Sequence, residues 1–170
     1  ALVLAAGQMR DALFRAAPFE AEIATLKNLA GDDTAVTAAI APLENMAAAG
    51  IPSRAAVLAQ LSGNVNAIVA ATRSPDYGDW IDRAVSGLRG FVKVRRVDGK
   101  GSGRDAILAR AEAAATRGDL AVAAAEMEKL DGNAAETAKP WLQDARARLA
   151  AEAARAALNR IVLNELASSG

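Results

Sequence analysis

The side chains that could do acid–base, nucleophilic or metal chemistry are few in this chain, and what is missing decides most of the question. Its 170 residues include no histidine and no cysteine. Histidine is the commonest general base near neutral pH and a common zinc ligand. Cysteine is needed for disulfides and thiolate metal sites, although its absence does not fix the compartment. Ser53, Ser62, Ser74 and Ser86 therefore have no imidazole to activate them as nucleophiles. Asp32 with Asp33, and Glu126 with Glu128, are the carboxylates that can be imagined on a metal. A carboxylate-only site needs more converging oxygens than these pairs offer, and helix capping and solvation account for them. The run Gly99-Lys100-Gly101-Ser102-Gly103 lacks the spacing of a phosphate loop and follows no strand, so it reads as a linker. The expectation is a non-enzymatic protein with no catalytic residues, no cofactor and no metal.

The chemistry that does stand out is that of a surface. Residues 79–97 read DWIDRAVSGLRGFVKVRRV. At helical spacing Trp80, Ile81, Ala84, Val85, Leu88, Phe91 and Val92 share one face, with Arg83, Arg89, Lys93 and Arg96 on the flanks and back. With Arg95, and counting Asp98, the stretch holds five cations against three acids, a net of +2 in a chain balanced at 20 against 20. Aromatics and cations on one helix suit a membrane interface or a helix-to-helix contact. The residues expected to touch anionic lipid are Trp80, Ile81, Arg83, Leu88, Arg89, Phe91, Val92, Lys93, Arg95 and Arg96. The competing reading is that the apolar face is core and the cations are solvated. A nucleic-acid module would want a basic domain, which the balanced charge does not supply.

The elements that must position this segment are helices. Alanine dominates, no period-2 strand is evident, and alanine is the strongest helix former. The fold class expected is all-α, a helical bundle or hairpin array of about seven to eight helices with no sheet. Residues 2–16 read as a first helix with Leu2, Ala6, Met9, Leu13 and Phe14 on one side. Pro18 opens a second, striped by Ile23, Leu26 and Leu29, which Gly31-Asp32-Asp33 ends while capping the next. A third carries Val36, Ile40, Leu43 and Met46, and Pro42 should kink or split it near Ile40. A fourth starts at Pro52-Ser53, with Val57, Leu58, Leu61, Val65, Ile68 and Val69 inward. Ser74-Pro75-Asp76-Tyr77-Gly78 breaks the chain before the basic segment.

Beyond the linker, residues 107–117 and 120–130 form two short helices around Gly118-Asp119, and Pro140-Trp141 begins a long last helix. The pattern is similar to a tetratricopeptide array without its repeat signature, and helical-hairpin packing of that general type is expected. Trp141 reads as core, and Arg146 and Arg148 as a solvated face. The organisation expected is 1–98 as an N-terminal helical region containing the basic helix 79–97, 99–104 as linker, and 105–170 as a C-terminal hairpin plus final helix, the whole one cooperative domain. Leu142, Leu149, Leu158, Ile161 and Leu166 on the final helix are the expected protein-interaction residues. No apolar run reaches the ~20 residues that span a bilayer. The opening ALVLAAGQMR reads as the middle of a helix, so a fragment of a longer protein is expected.

Several stretches, in order, resemble the C-terminal part of an alphaproteobacterial mitofilin, the bacterial relative of the mitochondrial crista-junction protein. Residues 13–29, LFRAAPFEAEIATLKNL, resemble that family's helix, proline-phenylalanine, helix opening. Ala49-Gly50-Ile51-Pro52-Ser53 is similar to its Gly-Val-Pro-Thr turn. Residues 80–97 resemble its Trp-rich, Leu-rich segment ending in Val-Arg-Arg-Val, and are locally similar to uroporphyrinogen methyltransferase-like membrane proteins as well. Ala109-Arg110-Ala111-Glu112 with Arg117-Gly118-Asp119-Leu120 resembles its hairpin, and Trp141-Leu142-Gln143-Asp144-Ala145-Arg146 its closing signature. The resemblance implies a domain on the periplasmic face of the bacterial inner membrane, behind a membrane anchor and a coiled coil. It also implies membrane shaping at cristae or intracytoplasmic membranes, and self-association as a dimer or higher oligomer. A contact to outer-membrane barrel-assembly machinery is a further implied partner. The alternative is a helical protein–protein adaptor with no lipid activity of its own.

Overall fold

Alanine-rich amphipathic segments broken by proline, glycine and aspartate should give helices with sharp ends, and they do. A computed structural model describes residues 1–72 and 103–168. Among the described residues seven α-helices and one 3-10 helix occur, with no strand. They are α1 (Leu2–Arg15), α2 (Glu20–Ala30), α3 (Thr34–Ile40), the 3-10 helix (Ala41–Met46), α4 (Arg54–Ala71), α5 (Arg104–Thr116), α6 (Leu120–Met127) and α7 (Gly132–Ser168). The chain divides into two compact units, Ala1–Val57 with Gln143–Gly170, and Leu58–Leu142. The first unit thus takes in the C-terminal part of α7 together with the opening helices, a grouping that linear reading of the sequence did not anticipate.

In the first unit α1 buries Ala5, Met9, Ala12 and Leu13. Phe14 is not on that side as expected, but 81% exposed. At 100° per residue Phe14 falls roughly 155° from the centre of the stripe formed by Ala5, Met9, Ala12 and Leu13, so it faces away from the core. α1 ends at Ala16 in the left-handed region (φ 54), where the N–H groups of Ala16 and Ala17 both donate to the Ala12 carbonyl. A non-glycine residue there carries a strain of about 1 kcal/mol. Pro18 stands just before α2, not inside it, and fully buried Phe19 precedes the first turn. Glu20 and Glu22 lie at the positive end of that helix.

Gly31 (φ 53) turns the chain out of α2. Asp33 then caps α3, its Oδ1 accepting from the N–H groups of Ala35 at 2.8 Å and Val36 at 3.4 Å, an arrangement worth about 1 kcal/mol. Pro42 has no N–H to donate and crowds the preceding turn. α3 accordingly stops at Ile40, and the chain tightens into the 3-10 helix with Pro42 in its first turn. Met9, Phe19, Leu26, Val36, Ile40, Leu43 and Ile51 form the core with Ala151, Ala154 and Leu158 of α7.

In the second unit α4 buries Leu61, Val65 and Ile68, while Leu58 and Val69 are half-buried. Gly63 and Asn64 do not interrupt the helix, and the Asn64 amide donates to the Thr137 carbonyl at 3.2 Å. α5 and α6 pack as a hairpin. Its turn satisfies the last carbonyls of α5 in paired fashion. The Gly118 N–H donates to Ala115 at 2.9 Å and the Asp119 N–H to Ala114 at 2.9 Å, with Gly118 at φ 76. Asp119 then caps α6 through the Val122 N–H at 3.1 Å.

α7 begins at Gly132, not at Pro140-Trp141, and carries Pro140 inside it. Proline inside a helix removes one hydrogen bond and crowds the preceding turn, at a cost of about 3 kcal/mol. Ala134 and Ala138 ahead of it are already buried, so the helix extends back over a face that the core covers.

Candidate functional site

The residues expected to meet lipid, Trp80, Ile81, Arg83, Leu88, Arg89, Phe91, Val92, Lys93, Arg95 and Arg96, lie outside the described residues, as do residues 99–102 of the expected linker. The geometry that can be built concerns the other candidates.

On α7, Leu142 is buried in the second unit and Leu158 in the first. Leu149 and Ile161 are half-buried, and Ile161 packs on the first unit's core. Leu166 is exposed, and so is Leu163, which sequence reasoning missed. Its signal was there to read: Leu163 stands off the stripe of Leu158, Ile161 and Val162, and a large apolar side chain off the stripe of an amphipathic helix faces out. Near this end of α7, an open groove of about 670 Å³ is lined by Leu2, Leu29, Ala30 and Ile161, with Asp33 and Glu165 as its charged residues. Val3, Leu4 and Phe14 of α1 are exposed as well. Of the exposed large apolar residues among those described, Val3, Leu4, Phe14, Leu163 and Leu166 lie on α1 and the end of α7 in the first unit, with Leu29 on α2 and Val122 on α6.

Two charged clusters tie helices together, one within each unit. Arg148 was expected on a solvated face. It is only 9% exposed. Its Nε donates to Glu152 Oε1 at 3.1 Å and its Nη1 to the Leu13 carbonyl at 3.1 Å. The other oxygen of Glu152 accepts from Arg54 Nη1 at 2.6 Å. Guanidinium forks can share one carboxylate in this way, and the charge-assisted bonds offset part of the desolvation. Arg148 also takes up a late carbonyl of α1, one of the four that a helix leaves unpaired.

The second cluster crosses the hairpin. Glu126 of α6 accepts from Arg110 Nε of α5 at 2.8 Å and from Lys129 Nζ at 2.7 Å. The hydrogen bond from Lys129, with further help from Arg110, holds its carboxyl below the ordinary 4.5 against the opposing pull of burial. Glu126 thus engages two cations at once. Among the described residues no group of three His, Cys, Asp or Glu side chains converges on one point. A carboxyl depressed by folding contributes stability above its ordinary value, and that contribution fades as pH falls through the folded value. Glu126→Gln should cost about 1 kcal/mol at pH 7, and the gap from wild type should close in acid. Urea melts of both proteins between pH 7 and pH 3 check this; a gap independent of pH would contradict it.

Trp141 is 3% exposed and is core. Ser53 accepts from the Ala56 N–H at 3.2 Å and so caps the start of α4. No helix among the described residues is long and apolar enough to cross a membrane.

Comparison with known proteins places the chain. The family model for mitofilin, described as a mitochondrial inner membrane protein, matches residues 1–159. A protein of Magnetospirillum gryphiswaldense named as the probable magnetosome protein Mms36 is 33% identical over 98% of this chain and 48% of its own length. MICOS complex subunit MIC60 of Pyrenophora tritici-repentis is 35% identical over 76% of this chain and 20% of its own. The same subunit of Phaeosphaeria nodorum is 34% identical over 85% of this chain and 24% of its own. The chain therefore spans about half the length of the magnetosome relative and about a quarter or less of the fungal ones. No solved structure matches it. With a family model matching residues 1–159 and a relative 33% identical over 98% of the chain, the chain belongs to the mitofilin family.

Proposed function

We propose that this chain is a non-enzymatic membrane-organising domain. It binds anionic lipid surface through the basic amphipathic segment 79–97 and self-associates. The observation that carries the reading is family membership over residues 1–159, in a family whose model describes an inner membrane protein. No described helix can itself span a bilayer, so a surface contact is the way this part of the chain would meet the membrane. The reading places it on the periplasmic face of a bacterial inner membrane, held by an anchor elsewhere in the protein. The fungal relatives are named as subunits of the MICOS complex, which supports work within an assembly. A contact to outer-membrane barrel-assembly machinery belongs to the same proposal.

Magnitudes define the kind of binding. Each cation near an anionic leaflet contributes about 1 kcal/mol, so the net excess of residues 79–97 gives roughly 2–3 kcal/mol. Inserting Trp80 and Phe91 adds on the order of 1.5–3 kcal/mol each. Neither charge nor aromatics suffices alone, and two copies held together multiply the effect through effective concentration. Co-sedimentation with phosphatidylglycerol vesicles tests this. Wild type should pellet at low salt and be released at high salt, and the Trp80→Ala/Phe91→Ala double variant should stay in the supernatant. Equal pelleting of the two proteins would remove the insertion step.

The adaptor reading keeps one specific support, the exposed Val3, Leu4, Phe14, Leu163 and Leu166. It predicts that vesicles are ignored at every salt concentration.

A further inference from the structure

The opening turns of α7 carry two features that bend a helix. Thr137 Oγ1 donates back to the Asn133 carbonyl at 2.8 Å. A hydroxyl bonded to the carbonyl four residues earlier competes with the backbone and bends the helix. Pro140, three residues on, has no N–H for the Glu136 carbonyl, and its ring crowds that turn. Glu136 and Pro140 are both exposed, so the carbonyl left without its donor lies on the wet side of the helix. The dry side is alanine: Ala134 and Ala138 are the buried residues of the stretch, whereas Trp141 and Leu142 anchor α7 just beyond the proline. The packing that offsets the proline ahead of it is thus two methyl groups, which bury little apolar area.

One further contact reaches this turn from outside the helix. The Asn64 amide of α4 donates to the Thr137 carbonyl at 3.2 Å, and a carbonyl has a second lone pair to offer beside any helical donor. Asn64 is a poor choice for packing. Its Oδ1 is buried and accepts from no described residue, and an amide left half satisfied is costly to bury. Leu61 and Ile68, three before and four after it on the same side of α4, are buried, so a leucine would continue their stripe. What the amide supplies and a leucine cannot is the N–H on the Thr137 carbonyl.

We propose that residues 133–140 of α7 form a hinge and that the Asn64 amide is its latch. All of these residues belong to the second unit. With the hydrogen bond made, α7 stays helical back to Gly132. With it broken, the stretch ahead of Pro140 swings from α4 and bares the side on which Leu61 and Ile68 stand, a transient apolar surface that the closed form lacks. Pro140 and the Thr137 hydroxyl lower the cost of opening, and Asn64 sets how often it happens.

The chain has no cysteine, so an introduced thiol reports the opening. Ala138→Cys places one on the buried side of the hinge, and Ala114→Cys on α5, equally buried in the same unit, reports unfolding of the whole unit. Each is made in the full chain with Asn64 kept, with Asn64→Leu and with Asn64→Ala, and modification by dithionitrobenzoate is followed under native conditions. Loss of the latch should speed the reaction of Ala138→Cys about tenfold, the upper range for one hydrogen bond of ordinary net worth, while Ala114→Cys reacts at an unchanged rate. Adding Pro140→Ala, which returns a donor to the Glu136 carbonyl, should slow Ala138→Cys again in either Asn64 background. Equal rates with and without Asn64, or rates at the two thiols that rise together, would overturn the latch. Protection kept by Asn64→Leu but lost in Asn64→Ala would overturn it as well, since packing and not the hydrogen bond would then close the hinge. Labelling that stays fast after Pro140→Ala would overturn the hinge itself.

Discussion

Gly50→Ala should destabilise the protein by about 2–4 kcal/mol, whereas Gly118→Ala should cost only about 1 kcal/mol. Both glycines sit at φ 76, so both substitutions force an L residue into the left-handed region, and the reduced freedom of the unfolded chain returns only part of that. What differs is the surroundings. A Cβ on Gly50 would lie 2.9 Å from both the carbonyl carbon and oxygen of Ala17, and 3.1 Å from the Ala16 oxygen, while a Cβ on Gly118 meets nothing within 4 Å. The obstructing atoms are backbone and cannot rotate away. They belong to the link between α1 and α2, which is also held by the Phe19 N–H donating to the Ala47 carbonyl at 2.9 Å. Moving that link disturbs Phe19, which is fully buried. Denaturant melts of the two variants measure the difference directly. Equal losses would mean that strain alone acts at Gly50 and that the close approach carries no energy.

Removing the carboxylate of Glu152 comes next in size. Glu152→Ala should cost about 2–4 kcal/mol, because Arg148 would stay buried with its charge uncompensated. The Leu13 carbonyl would still accept from it, but a carbonyl dipole does not neutralise a guanidinium. Arg54 is the lesser term, since its side chain is 39% exposed and water can replace Glu152 there. The double variant Arg148→Met/Glu152→Leu separates pairing from desolvation. If burial of the charge is what hurts, the apolar pair recovers most of the loss. Thermal and urea melts of the single and double variants decide it, and a Glu152→Ala protein within about 0.5 kcal/mol of wild type would show that the cluster is solvated in solution.

These two sites also mark the limit of what could be read from the chain. Helix ends were legible wherever a single residue type enforces them. Pro42 stops α3, Asp33 and Asp119 accept from the first turns that follow them, and Gly31 and Gly118 turn the chain. The buried face of α4 was legible because apolar residues repeat at helical spacing. Arg148 was not, because the Leu13 carbonyl it donates to lies 135 positions away, and Glu152 four residues on is a spacing that a solvated arginine shows as well. Gly50 was visible as part of the turn Ala49-Gly50-Ile51-Pro52-Ser53, but not as a point of contact with Ala17. Pro140 misled in the other direction. A proline reads as a boundary, yet residues on both sides of it are buried, and packing of that face outweighs the lost hydrogen bond and the crowding of the preceding turn. On α7, Leu142 and Leu158 answered the helical period by going inside, so of the residues read as a docking stripe Leu166 is the one fully at the surface.

The first unit joins Ala1–Val57 to Gln143–Gly170, with the whole second unit threaded between. A ribosome adding roughly 5–20 residues per second therefore needs several seconds after Val57 before Ala151, Ala154 and Leu158 exist to cover Met9, Phe19 and Leu26. During that interval the opening helices are a nascent half-core with greasy sides open to whatever is near, be it a chaperone or another emerging chain. A stop codon placed anywhere before Ala151 would leave that half-core permanently uncapped, however complete the middle of the protein.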